Sequence, residues 1–271
     1  MKRPGQIIRI LRYIGLLAVL VAVAYTILLS FIWNNRVELK MASAALSEQR
    51  TIMLFGAHEG GQKDQVAIYS LDGNKFRHSL LPATHGAVLA WLTGETAPLV
   101  IAVYDHGKRD IDFRPVKVSP AYWRPKITGR GPAFDQFLLN ELRPLVEQRF
   151  GSPKERYLFG HSLAGFYAID MAARKSSHGF KGLYAFSPTF SHDLSILNRL
   201  EVACANSASI YANIGLESDR DTEVFGKAEE AFVSAPICRS KGKLTRHPGM
   251  IHAVVMITGQ IEAFFQIYAG T

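Results

Sequence analysis

The stretch Tyr157-Leu158-Phe159-Gly160-His161-Ser162-Leu163-Ala164-Gly165 decides how this chain is read. An apolar run of strand character arrives at a glycine, a serine follows, and a helix of small residues leaves. A sharp strand-to-helix turn of this kind lifts the serine Oγ above the sheet, and its crowding requires small neighbours, here Gly160 and Ala164. The helix starting near Leu163 would offer free backbone N–H groups to a developing oxyanion. The spacing departs from strict G-x-S-x-G, because Ala164 takes the fifth position and the second glycine comes one place later. Alanine adds one methyl, which the turn can hold. Ser162 is therefore the candidate nucleophile; the competing reading is a chance serine in a βα turn.

Outward from the turn, β-rich and helical segments alternate. Thr51–Phe55, Val66–Leu71, Pro98–Tyr104, Gly182–Phe186 and Ala208–Ile214 read as strands, and Leu244–His247 as a short one. Ala87–Leu92, Phe134–Phe150, Leu163–Arg174, Thr222–Val233 and Gly259–Tyr268 read as helices. The continuous apolar run PLVIAVY suits a strand covered on both faces. The alternation implies a mostly parallel sheet with helices on both faces, and functional residues just beyond the strands' carboxyl ends. Loops rich in Pro, Gly and aromatic residues, Ser119–Gly131 and Ser187–Leu197, are expected to cover the pocket.

Ahead of this domain, Tyr13 to Trp33 is free of charge: YIGLLAVLVAVAYTILLSFIW. As a helix, its 21 residues would be roughly 31 Å long, enough to cross a hydrocarbon core. Four basic residues precede it, while Arg36 and Lys40 beyond it are partly balanced by Glu38. The bias predicts a single-pass inner-membrane anchor with a cytoplasmic N-terminus and the remainder in the periplasm. A cleaved signal peptide is the rival, but no small-x-small site closes the run; Ala42-Ser43-Ala44 lies well past its end. Residues 1–40 are thus read as tail, anchor and linker, and 41–271 as one catalytic domain. The first 40 residues hold +5 of the formal net charge of +8. The +3 left over, with no basic stripe interleaved with aromatics, gives no reason to expect nucleic acid as a partner. In an oxidising compartment, Cys204 and Cys238 form an even pair that can bridge.

A serine nucleophile needs a base, and the base needs an acid to orient it. In the order Ser, acid, His, the base is sought on the loop after the last strand. His252 follows Pro248-Gly249-Met250-Ile251 there, with His247 as the alternative. The acid is sought after the strand Ala208–Ile214, where Gly215-Leu216-Glu217-Ser218-Asp219 supplies Glu217, or else Asp219.

Several stretches then share an order and spacing that resemble the esterase D-like family of α/β-hydrolases. Ile68-Tyr69-Ser70-Leu71-Asp72-Gly73 is similar to the family's YLLDG, and Arg109-Asp110-Ile111-Asp112-Phe113-Arg114-Pro115 to its R-x-x-D-[YF]-T-P. Phe159-Gly160-His161-Ser162-Leu163 matches a GHSL core, Phe186-Ser187-Pro188 the SP that follows, Gly215-Leu216-Glu217 an acid loop and Ile251-His252 a histidine loop. The resemblance implies an α/β-hydrolase fold and an oxyanion hole from the backbone N–H groups of Leu163 and Asn74. It also implies an anchored periplasmic domain like that of enterochelin and salmochelin esterases, with a catecholate siderophore ester as first substrate. Arg109, beyond a strand end, is the candidate contact for an anionic or phenolic substrate group; the rival reading pairs it with Asp110 or Asp112. Neither metal nor organic cofactor is expected. An acyltransferase with the same triad, or a non-catalytic envelope protein on a hydrolase fold, are the alternatives.

Overall fold

The computed structural model describes residues 4–116 and 128–269. Residues 117–127, most of the loop expected to cover the pocket, lie outside the described residues. The chain forms one eight-stranded sheet from β1 (Val37–Ser43), β2 (Glu48–Phe55), β3 (Ala67–Leu71), β4 (Leu99–Val103), β5 (Arg156–His161), β6 (Gly182–Phe186), β7 (Ser209–Leu216) and β8 (Gly242–Ile251). The strand order is β1-β2-β4-β3-β5-β6-β7-β8. β1 and β2 run antiparallel at one edge, and every pairing from β4 onward is parallel. β3, β4 and β6 are buried along their whole length, which is why they read as unbroken apolar runs.

The helices are α1 (Pro4–Asn34), α2 (Leu80–Thr93), α3 (Arg109–Asp112), α4 (Gly131–Gln136), α5 (Arg143–Phe150), α6 (Leu163–Arg174), α7 (Leu200–Asn206), α8 (Asp219–Ser234), α9 (Pro236–Lys241) and α10 (His252–Ala269). Alternate strand residues feed two cores. Tyr69, Leu71, Ile101 and Val103 pack with Phe137, Phe166 and Phe225 from the layer of α4 to α9. Ile68, Val100, Ala102 and Phe159 pack with Leu80, Leu89, Met256 and Phe264 from α2 and α10.

Three departures from the sequence reading have physical causes, and the expected pairing of Cys204 with Cys238 is present. β1 begins at Val37, inside the stretch read as linker, and its pairing with β2 runs from Val37↔Leu54 to Ser43↔Glu48. The expected Phe134–Phe150 helix is real but widens into a π segment at Phe137–Leu142. Pro144, just beyond, lacks the N–H that would close the regular ladder. β8 runs through Pro248 and Gly249, read as a loop, because an edge strand has one side free of ladder bonds. The short helices α7 and α9 carry Cys204 and Cys238, and the disulfide between them closes at a Cα–Cα distance of 5.2 Å. On the first edge, Arg50 and Asp112 are fully buried and paired at 2.7 Å, and Arg130 Nε donates to the other Asp112 oxygen at 2.6 Å.

Helix α1 includes an apolar segment, Ile10–Asn34, long enough to cross a membrane, and none of its most apolar window is buried.

Candidate active site

β5 delivers Ser162 at φ 60°, ψ −120°, a backbone conformation that costs energy in any residue but glycine. Three hydrogen bonds hold it there. The Ser162 N–H donates to Phe186 O (2.8 Å), and its carbonyl accepts from the N–H groups of Phe166 (3.0 Å) and Thr189 (3.3 Å). The turn is tight enough that a Cβ on Gly160 would lie 2.3 Å from the Ala164 carbonyl oxygen. Ala164 itself is accommodated, fully buried, so the motif's departure leaves the turn intact.

Glu217 follows β7 directly, and His252 opens α10 directly after β8. His252 Nδ1 lies 2.5 Å from Glu217 Oε1. Their convergence depends on the end of β8 pressing against β7, where the register shifts. A Cβ on Gly215 would sit 2.1 Å from Met250 O, so glycine permits that approach. Asn213, fully buried on β7, reaches the same helix by donating from Nδ2 to Val255 O at 3.0 Å. The alternatives stand elsewhere: Asp219 is the exposed first residue of α8, and His247, on β8, faces Glu262 at 3.4 Å.

Two residues that the sequence offered only as parts of motifs, with no role assigned, add to this pair. Ser187, at φ 47° beyond β6, donates from Oγ to Glu217 Oε1. Its N–H is held by Asn213 O at 2.8 Å. His161, beside the nucleophile, places Nε2 3.2 Å from the His252 carbonyl and its ring centroid 4.3 Å from that of His252. His78 meets the other side of His161 edge-on at 5.3 Å. Burial is the chief reason that both are poor bases: His78 is pushed down to about 3, and His161 far below the ordinary imidazole value. A neutral His161 carries one ring proton, which Nε2 can donate to the His252 carbonyl. The signal for both residues was positional, since each sits at the carboxyl end of a parallel strand.

The proposed oxyanion donors flank the turn. Leu163 opens α6, and Asn74 lies beyond β3, the strand that pairs directly with β5. Neither backbone N–H has a hydrogen-bond partner among the described residues.

Arg109 is engaged by the protein itself. Its Nε donates to both oxygens of Asp72 (2.9 and 2.8 Å), and Nη2 donates to His161 O at 2.9 Å. These bonds clamp the Asn74 loop to the serine turn, beside the substrate contact that the sequence reading expected of Arg109. The carboxylate it grips is Asp72, whose side chain is fully buried. His192, near Arg114 and Asp221, and His178, fully buried behind Phe180, take no part in the Glu217–His252 contact.

Known structures share this fold. The BES protein from Bacillus cereus superposes with a TM-score of 0.70 at 24% identity, covering 85% of this chain and 94% of that one. The siderophore hydrolase EstA from Aspergillus nidulans gives 0.71 at 20% identity, covering 88% and 95%. An IroE-like serine hydrolase from Shewanella oneidensis gives 0.69 at 16% identity, covering 87% and 80%. At these identities the likenesses establish the shared fold. No curated protein sequence matches the chain. Residues 43–236 match the family described as "Putative esterase", a span of well over half the chain, and the chain belongs to that esterase family.

Proposed function

We propose that the protein is a membrane-anchored periplasmic serine esterase acting through Ser162, His252 and Glu217. One observation carries the reading: a carboxylate fixed on His252 Nδ1 at 2.5 Å, which leaves Nε2 as the ring's basic atom, on the sheet edge where the strained Ser162 turn stands. Ser162 Oγ attacks the ester carbonyl as His252 Nε2 takes its proton. The Leu163 and Asn74 N–H groups receive the oxyanion, each such donor being worth about 2.7–4 kcal/mol. The tetrahedral adduct collapses, and the alcohol leaves with the proton from His252. Water, activated by the same base, then frees the acid and restores Ser162. Glu217 holds the ring in the correct tautomer and stabilises its charged form.

The fold shared with EstA, a siderophore hydrolase, supports a siderophore ester as the first substrate to screen. The apolar length of Ile10–Asn34 supports the anchor, and the basic residues before it support a cytoplasmic N-terminus. The test is hydrolysis of short p-nitrophenyl esters by the full chain in detergent, beside Ser162→Ala and His252→Ala. Activity and fluorophosphonate labelling in the wild type, both lost in Ser162→Ala, are the expected results. An unreactive wild type ends the esterase reading. Transfer of the acyl group to an added alcohol in preference to water would make the protein an acyltransferase.

A further inference from the structure

Helix α1 does not leave the domain as a free stalk. From Ile10 to Ala24 every residue is exposed, but Tyr25, Leu28, Leu29 and Ile32, spaced along one side of the helix, are partly covered. Leu29 and Ile32 pack against the core that lies under α2, and α1 packs on α2. Crossing about 30 Å of hydrocarbon takes about 20 residues of helix. Counted from Tyr13, the first residue after Arg12, that length ends at Ile32. Leu29 and Ile32, which pack on the domain, thus lie within about 5 Å of the end of the span, so the α2 edge meets the bilayer at the boundary of headgroups and acyl chains.

What α2 presents there is apolar. Trp91 and Leu92, in its last turn, are 79% and 62% exposed. Beside them α10 exposes Ile261 and Phe265, and Tyr268 Oη from the same helix donates to Thr96 O at 3.4 Å, just past the end of α2. The exit of α1 shares this edge of the sheet. Trp33 lies 6.4 Å from Phe55 between ring centroids, and Phe55 pairs with Val100 near the start of β4.

We propose that this edge of the domain docks on the lipid surface, with Trp91 and Leu92 seated at the boundary of headgroups and acyl chains. The proposal rests on the anchor reading given above. Tryptophan beside a membrane span is at home at that depth, and an apolar patch continuous with the span is a surface for lipid. Asn74, Ser162, Ser187 and Glu217 all follow the carboxyl ends of their strands, the edge opposite to Phe55 and Val100. Five-residue strands put about 17 Å between the two edges. Docking thus turns the catalytic edge away from the bilayer, and the ester reaches it from water.

The experiment uses the full chain in phosphatidylcholine–phosphatidylglycerol vesicles, with one added cysteine labelled by an environment-sensitive fluorophore. Leu92→Cys reports the docked edge, and Lys108→Cys, exposed beyond β4 at the catalytic edge, is the comparison. Expected are a blue shift for the Leu92→Cys label and loss of its emission to lipids spin-labelled near the headgroup, with neither for Lys108→Cys. Equal quenching of the two labels in protein that floats with the vesicles overturns docking and leaves the anchor standing. A blue shift without lipid quenching means that a second copy covers the edge, and the proposal falls. Protein that fails to float, or washes off with carbonate, removes the anchor reading and docking with it.

Discussion

Replacing Arg109 by methionine separates a clamp from a substrate contact. The change keeps the aliphatic stem and removes the guanidinium that joins Asp72 to the His161 carbonyl. Asp72 would then be a fully buried carboxylate whose remaining cation is Lys75, 3.8 Å away on a side chain 39% exposed. Breaking a buried pair by removing one partner costs about 3–5 kcal/mol, and a half-exposed lysine offsets little of it. The catalytic effect comes through Asn74. With its loop untied from the serine turn, one oxyanion donor is misplaced, worth about 10²–10³ in kcat. KM should hold, because the lost contact is made to protein and not to substrate. Urea unfolding measures the first number, and saturation kinetics on a p-nitrophenyl ester measure the second. Adding Asp72→Leu should restore most of the stability, since an apolar pair can replace a buried ion pair, while kcat stays low. A raised KM with kcat intact would refute the clamp and leave Arg109 as a substrate contact.

Gly160→Ala should disable the turn, because the new Cβ would meet backbone that cannot yield. A loss of about 1–3 kcal/mol, measured in urea, together with loss of fluorophosphonate labelling is expected. Stability should also fall with acid. His78 and His161 stay neutral when folded but titrate near ~6.5 when unfolded, so the unfolded chain binds more protons below that pH. The contribution is full above about pH 6.5 and drains as pH drops toward the folded values. Between pH 7 and 5 it amounts to about 2 kcal/mol per histidine, and His78→Gln should remove one share from the urea-derived slope. Replacing Cys204 and Cys238 by serine opens a link across a sequence separation of 34 and should cost about 4 kcal/mol in the same assay.

The sequence was most legible where a local signal and burial agreed. β6 lies where it was read, Gly182–Phe186, because it is buried throughout and bounded by Ser187-Pro188. The serine turn was legible for the same reason: its crowding is local, and it shows in Gly160 and Ala164. The start of the domain was not, because β1 alternates between half-buried and exposed residues and gains its place only by pairing with β2. The clamp was beyond reach because Arg109 and Asp72 are 37 residues apart, and nothing near either one names the other. Ser187 was visible as a motif, but its hold on Glu217 joins the ends of two strands and exists only once β6 and β7 lie side by side.

Only Asn35 and Arg36 separate α1 from β1, and neither is slack. The Asn35 N–H donates to Phe31 O at 3.1 Å, and the Arg36 guanidinium lies 3.9 Å from the Trp33 ring centroid while its Nη1 donates to Trp33 O. A long leash would let a tethered catalyst sweep a hemisphere above its anchor. With no such play, an enzyme anchored as proposed carries its serine at one fixed height. Its search for substrate becomes lateral diffusion within a single thin layer of solvent, so the rate depends on how much ester passes through that layer and not on the bulk volume of the compartment.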